Sequence, residues 1–464
     1  MRKKVKVFVA LLACMLCLLS ACGKAEEESA SGEEPDIRQN TQQNQTGGSG
    51  EQQDVGNDVQ EMQEYVQPEM KGEITISCLS ENEFLTAAAK QFMDRYPDVT
   101  ITINASEAGT VEDYQTYLNT KIMGGKAEDI IFNSFLPITR YSEMGVFEDL
   151  SGYISITPEF NDENFFMNVL QAARQDSGEI YVIPYMARFD VIGFSDSLLA
   201  GQADIRNTLE TWEVAGFSES MDLARQLVAG TDKRNVFLIH SNELSYANSL
   251  IQDFLGQFVD VEGKKVNLDS AEYIDLLNSV KELSNNNSFG SGISFYNEDY
   301  YFAVSKDYDV QAAYYCLAKD SDQAYGVPLG DAEGNVVINA NNCIALNSAS
   351  DHKDLAWEFI RYLLWSEVQA LPSLHGLAVN RQGFEASVAR YYTFYENGNN
   401  SGVDEAEYGA LLESWMEQIN SCDLVDAVIW DLFNAENEKF FSGTQTAEQT
   451  AKNLQKQIDQ YFNE

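Results

Sequence analysis

Apolar and polar residues alternate along Glu73-Ile74-Thr75-Ile76-Ser77-Cys78, which predicts a strand. Phe84, Ala88, Phe92 and Tyr96 then recur at four-residue spacing, so Glu83 to Tyr96 is expected to be a helix with one buried face, ended by Pro97. Val99, Ile101 and Ile103 alternate with Thr100 and Thr102, a second strand. Together these segments form a β-α-β unit, which predicts parallel pairing with a right-handed crossover. Another helix, from about Val111 to Met123, leads through Gly124-Gly125 into Asp129-Ile130-Ile131-Phe132. That continuous apolar run suits a buried parallel strand.

Helix-rich chain follows, with a strand-like Tyr181-Val182-Ile183-Pro184 inside it. Thr211-Trp212-Glu213 is read as the start of a helix through Leu223 and Leu227. Val310 to Leu317 and Tyr325 to Leu329 are strand-like, and Val336 to Leu346 contains another strand. Asp354 to Ala370 is expected to be a helix with Leu355, Phe359 and Leu363 on one face. Thr446-Ala447-Glu448-Gln449 has the form of a capping box and opens a last helix, with Leu454, Ile458 and Phe462 on one stripe.

The first residues break this pattern. Arg2, Lys3, Lys4 and Lys6 are a basic cluster before an apolar run from Val7 to Leu19. The run is shorter than the ~20 residues of a membrane-spanning helix and has the length of a secretory signal. Leu19-Ser20-Ala21-Cys22 follows and resembles the bacterial lipobox, which implies removal of residues 1–21 and lipidation of Cys22. Residues 23–70 are rich in Glu, Gln, Asn, Ser and Gly and offer almost nothing to bury, so 22–71 is read as a lipidated cysteine and a disordered acidic leash. The roughly 390 residues beyond it exceed one ordinary core and predict two lobes.

Composition narrows the chemistry. With 73 acidic against 30 basic residues the net charge is −43, which opposes binding to nucleic acid. Besides Cys22, the mature chain holds Cys78, Cys316, Cys343 and Cys422, widely spaced and without a CxxC pair. Disulfides and free buried thiols both stay open for these four. His240 with Glu243 is a lone HxxE, read as a surface pair, and no metal-ligand cluster or cofactor motif is visible.

An ordered series of segments resembles the extracellular solute-binding family that includes maltose-binding protein. The series runs through Phe92-Met93-Asp94-Arg95-Tyr96-Pro97-Asp98-Val99, Gly125-Lys126-Ala127-Glu128-Asp129-Ile130-Ile131 and Tyr141-Ser142-Glu143-Met144-Gly145-Val146-Phe147-Glu148-Asp149-Leu150. Gly178-Glu179-Ile180-Tyr181-Val182-Ile183-Pro184, Tyr325-Gly326-Val327-Pro328, Ala356-Trp357-Glu358-Phe359-Ile360 and Ser442-Gly443-Thr444-Gln445-Thr446 continue it in order. The resemblance covers about residues 73–464. It implies an α/β, two-lobed periplasmic-binding-protein-like fold, each lobe a mainly parallel sheet flanked by helices, with a ligand cleft at the hinge. One lobe is expected from 72–184 plus about 328–370, the other from 185–327 plus about 371–464. The chain would cross near Tyr185, cross back near Tyr325 to Pro328, and return near Leu371 to Gly376.

Within that frame, position selects the candidate ligand contacts. Sugars pair aromatic platforms with amides and carboxylates. Glu81 and Asn82 lie at the carboxyl end of the first strand, where a helix N-cap is the competing role. Asn133 and Phe135 follow Phe132; the maltose-binding pattern has Trp directly after this strand, so Asn133 is a departure that leaves the particular sugar open. Tyr185 and Arg188 follow the first crossing, and an acidic partner for Arg188 is the competing role. Of Tyr314 and Tyr315, one should face the cleft if they sit on a strand. Asn339 and Asn341 occupy a turn position that approaches ligand in the family, with plain turn chemistry as the alternative. Trp430, thirteen residues before Gly443, resembles a stacking Trp, and Tyr246 is a weaker candidate.

The resemblance implies a sugar ligand, ABC permease subunits as partners, a membrane contact through the lipid alone, and a monomer on the extracellular face. Peptide or polyamine cargo, or presentation of a solute to a sensor kinase, are the alternatives, together with an adhesin. A surface glycosidase would need two carboxylates roughly 5–9 Å apart. No GxSxG, HExxH or Cys/His constellation supports an enzyme.

Overall fold

The computed structural model describes residues 65–463, apart from 107–109, 133–135, 196–202, 217–218, 221–222, 224–236, 240–247, 249–250, 252–254, 262, 286–288, 292–301, 306–308, 319–323, 332–333 and 425–426. Strand β1 (Gly72–Cys78) buries Ile74 and Ile76 completely, as its alternation requires. It pairs in parallel with β2 (Val99–Ala105), from Gly72 opposite Val99 to Cys78 opposite Ala105. The helix Glu83–Arg95 makes the crossover; Asn82 caps it by accepting from the Leu85 N–H at 3.0 Å, and Phe84, Leu85, Ala88, Ala89 and Phe92 form its buried face. Strand β3 (Ile130–Phe132) joins the other edge of β1, also in parallel. Asp129 fixes its entry by accepting from the Thr75 N–H at 2.7 Å and the Thr75 hydroxyl at 2.8 Å.

Two more strands complete this five-stranded sheet: Cys343–Leu346, antiparallel beside β3, then Ile183–Pro184, antiparallel to Cys343–Leu346. A second sheet of eight strands runs in the order Phe289–Ser291, Phe237–Ile239, Phe302–Ser305, Val191–Ser195, Ala324–Gly330, Val336–Asn339, Ile419–Asp423, with Ala215–Gly216 paired to Ala324–Gly330. Both sheets are mixed: in the first, β1 pairs in parallel with β2 and β3 while Cys343–Leu346 runs antiparallel to β3, and in the second, Phe237–Ile239 has parallel neighbours while Val191–Ser195 has antiparallel ones.

Two passages join the sheets. Val336–Asn339 of the second sheet turns through a single 3-10 turn, Ala340–Asn342, into Cys343–Leu346 of the first. Ile183–Pro184 of the first sheet runs through Tyr185 into Met186–Ala187, which pairs antiparallel with Leu377–Ala378. The strand Val336–Asn339 therefore lies with the second sheet, although the sequence reading put the return to the first lobe at about 328.

Several expectations are corrected. Val310 to Leu317 is not a strand: Asp309–Leu317 is a helix, because the apolar run Ala312 to Leu317 fits either period and packing decides. Thr211 does not open a helix but follows one, Ala203–Leu209, with the Trp212 N–H bonded to the Leu209 carbonyl. Asp354 to Ala370 is two helices, Lys353–Leu363 and Ser366–Gln369, broken at Trp365 in an extended conformation. The folded body also begins before residue 72. Tyr65 lies under the Arg361 guanidinium, 4.5 Å from its ring centroid, Arg361 donates to the Tyr65 hydroxyl, and Met70 packs on the core. The capping box is formed in full, with the Gln449 N–H donating to Thr446 Oγ1 and the Thr446 N–H to Gln449 Oε1; Leu454 and Ile458 are buried below it.

Candidate functional site

The carboxyl ends of β1 and β3 converge on the first passage between the sheets, and Tyr185 stands at the meeting point. Its ring stacks on Phe84 at 5.6 Å with an interplanar angle of 13°, and tilts against Phe132 at 5.3 Å. Its backbone is held from both sides: the Tyr185 N–H donates to the Asn342 carbonyl at 3.0 Å, and its carbonyl accepts from Gln369 Nε2 at 3.0 Å. Burial pushes the Tyr185 phenol up to about 12, against the opposing effects of a hydrogen bond with the Asn82 side chain and the nearby Arg188 guanidinium. The phenol is thus neutral at any ordinary pH and can both donate and accept.

Gln369 is the fastener of this region. Fully buried, it donates to the carbonyls of Tyr185 and of Leu363 (2.8 Å), while its Oε1 accepts from the Val379 N–H at 3.0 Å. Arg188 reaches the same place from the other side, with Nε donating to the His375 carbonyl at 2.6 Å. Its partner is a main-chain oxygen, not the acidic side chain considered from sequence. Gly376, the next residue, lets Met186–Ala187 pass close by: a Cβ there would lie 2.7 Å from Met186 Sδ and 3.1 Å from the Ala187 carbonyl.

The other candidates fall in different places. Glu81 is exposed, one residue before the Asn82 cap. Asn339 caps the 3-10 turn by accepting from the Asn341 N–H at 2.8 Å, so both serve the second passage between the sheets. Tyr314 and Tyr315 lie on the helix Asp309–Leu317, so strand alternation does not apply to them. Tyr314 has no exposed surface and donates to Glu396 Oε2 at 2.7 Å, which removes it from a ligand wall; half-buried Tyr315 meets it edge-on at 5.9 Å. Trp430 lies half-buried on the helix Ala427–Phe441, with its ring at 89° to Phe433. Asn133, Phe135, Tyr246, Cys22, His240 and Glu243 lie outside the described residues.

Sequence reasoning brought Asn82, Tyr185 and Arg188 to one locality but missed Phe84, Gln369 and the Asn342 carbonyl. The only sequence signal for Phe84 is its place just after an N-cap at a strand end. Among the described residues no group of three or more His, Cys, Asp or Glu is arranged to hold a metal ion, and no helix is long and apolar enough to cross a membrane. Phe84, Phe132 and Tyr185 are themselves buried, at 2%, 3% and 6% exposure, so the rings form a packed floor, and the polar groups beside it are an amide, a neutral phenol and a guanidinium, a set able to hydrogen-bond a polar, uncharged partner.

Residues 79–370 match the family model of bacterial extracellular solute-binding proteins. No curated protein matches the chain in sequence. Among solved structures, the sugar-binding protein MalE from Xanthomonas citri is similar at TM-score 0.57 and 14% identity, over 84% of this chain and 98% of that one. An ABC substrate-binding protein from Listeria monocytogenes in complex with cycloalternan gives TM-score 0.53 at 17% identity, over 85% and 99% of the two chains. An extracellular solute-binding protein family 1 member from Alicyclobacillus acidocaldarius gives 0.53 at 15%, over 86% and 100%. At such identities the likeness is one of fold.

Proposed function

This chain belongs to the bacterial extracellular solute-binding proteins, and from that membership we propose that it captures a neutral mono- or oligosaccharide between two lobes and delivers it to an ABC permease. The observation that carries the sugar reading is the locality around Tyr185, where the half-buried Asn82 amide, the Tyr185 phenol and the Arg188 guanidinium come together at strand ends beside the join between two sheets, next to the buried rings of Phe84 and Phe132. Ligands of open α/β sheets sit at the carboxyl ends of strands. The names of the similar structures, sugar-binding MalE and the cycloalternan complex, point the same way.

In this reading one lobe comprises 72–184 with 343–370, the other 185–339 with 371–464, and the passages at Tyr185, Ala340–Asn342 and Leu377 act as the hinge. A bound solute favours the closed form only through contacts it makes better there. Glu81, Asn82, Asn133 and Phe135 are proposed for one wall, Arg188, Tyr246, Tyr315, Asn339 and Trp430 for the other, and Tyr185 and Asn341 for the hinge between them. Cys22 carries the lipid that holds the protein at the outer face of the membrane, and the permease reads closure. Small-angle scattering tests this: adding the bound sugar lowers the radius of gyration, and recovered sugar is intact. Release of a monosaccharide on incubation would replace binding with hydrolysis.

Trp430→Ala is expected to weaken sugar binding at least tenfold without unfolding the protein. Covering an aromatic face removes more apolar surface than the ~0.5–1.5 kcal/mol that one net hydrogen bond contributes. Unchanged affinity in isothermal titration would leave Trp430 a purely structural residue beside Phe433.

A further inference from the structure

Two buried thiols from different sheets lie at the join between them. Cys343 begins the strand Cys343–Leu346 of the five-stranded sheet and has no exposed surface. Cys422 belongs to Ile419–Asp423 at the edge of the eight-stranded sheet and is 8% exposed. The pairing register explains how they meet. Ile338 stands opposite Cys422 and Asn339 opposite Asp423, and the turn Ala340–Asn342 then carries the chain straight to Cys343. Both thiols are free and buried, and they lie close enough for Cys343 to act on the ionisation of Cys422. Cys78, at the end of β1, and Cys316, on the helix Asp309–Leu317 against Gly326, lie in other surroundings.

We propose that Cys343 and Cys422 form a dithiol–disulfide pair whose oxidation staples the two sheets together where the chain passes between them. The oxidant is a small-molecule or protein disulfide of the extracytoplasmic space. One cysteine thiolate attacks a sulfur of that disulfide, giving a mixed disulfide and releasing one thiol. The other cysteine then attacks the protein sulfur of the mixed disulfide and releases the second thiol. Net, the two cysteines lose two electrons and two protons, and the donor disulfide becomes two thiols. Interaction with Cys343 and burial both hold the Cys422 thiol well above its ordinary range, so exchange is slow in the closed fold and quickens when the join opens.

The bond closes a loop of about 80 residues, which restricts the unfolded chain. It also ties the bend at Ala340–Asn342 to the neighbouring strand. Any effect on solute capture rests on the function proposed above, but the bond itself does not, so its test is independent of the cargo.

The full chain is equilibrated with reduced and oxidised glutathione over a range of ratios, in urea below the unfolding transition, then quenched with acid, alkylated and mapped by peptide mass. The expected result is a Cys343–Cys422 crosslinked peptide lighter by two hydrogens, alkylated Cys78 and Cys316, and a melting temperature several degrees above the reduced form. Four alkylated cysteines at the most oxidising ratio, or a crosslink between any other pair, would overturn the proposal. Cys343→Ser and Cys422→Ser should each leave the remaining partner alkylated and erase the melting difference; persistence of that difference in either variant also overturns it. If a variant fails to fold, the peptide map of the unaltered chain decides alone.

Discussion

Gln369→Leu lowers stability by about 3 kcal/mol or more in urea denaturation. The substitution keeps the shape of a fully buried side chain but removes three hydrogen bonds, to the Tyr185 and Leu363 carbonyls and from the Val379 N–H. Each main-chain group left in the interior without a partner costs about 1–3 kcal/mol. The loss is local before it is global: Tyr185 and Val379 sit on the two segments that run side by side through Met186–Ala187 and Leu377–Ala378. Faster hydrogen exchange at the Val379 amide, beyond that explained by the global stability change, is the accompanying sign. A variant as stable as the parent would show that these contacts do not hold the passages together.

Arg361→Met is expected to cost about 3–5 kcal/mol at pH 8, the usual penalty for leaving one member of a buried ion pair alone. Glu358 is 4% exposed and takes hydrogen bonds from Arg361 at 2.7 Å and from Gln67 Nε2 at 3.4 Å. Arg361 also bonds Glu159 at 2.8 Å and covers the Tyr65 ring. Burial raises the Glu358 carboxyl above its ordinary range, and the Arg361 charge and hydrogen bond oppose that rise. A carboxyl raised on folding favours the folded state fully below its unfolded pKa, and this contribution is lost as the pH rises through the folded value. Removing Arg361 raises the folded value further. The deficit of the variant is therefore largest at pH 8 and shrinks toward pH 5 as Glu358 takes up its proton. Paired urea titrations at the two pH values check the sign, and an equal deficit at both would contradict it. Glu358→Leu combined with Arg361→Met recovers much of the loss, because apolar replacement of a whole buried pair is often neutral.

These two residues show where sequence reading stops. β1, β2 and the helix Glu83–Arg95 were legible from their periods, and β3 from a continuous apolar run that is buried throughout. The last helix was legible from Thr446 and Gln449, whose capping role is local. Asn82 and Tyr185 were selected by position, at a strand end and at a crossing, and the fold makes them neighbours. Gln369 was invisible because its partner Tyr185 lies 184 residues away, and one Gln at the end of a helical run looks like any surface amide. Tyr65 was read as leash because a single aromatic in polar chain carries no period; only the distant Arg361 gives it a place. The helix Asp309–Leu317 was misread because Val-Gln-Ala-Ala-Tyr-Tyr-Cys-Leu has apolar residues on every side and therefore no period to read. Tyr314 entered the ligand set on that error.

The cargo decides the account most directly. A calorimetric screen of the purified protein against mono- and oligosaccharides, peptides and polyamines measures it in one experiment. The expected result is saturable binding of an uncharged sugar, weakened by Trp430→Ala, with no heat from peptides or polyamines. Tight binding of a peptide or polyamine, with silence from every sugar, would contradict the carbohydrate assignment while leaving the family membership intact.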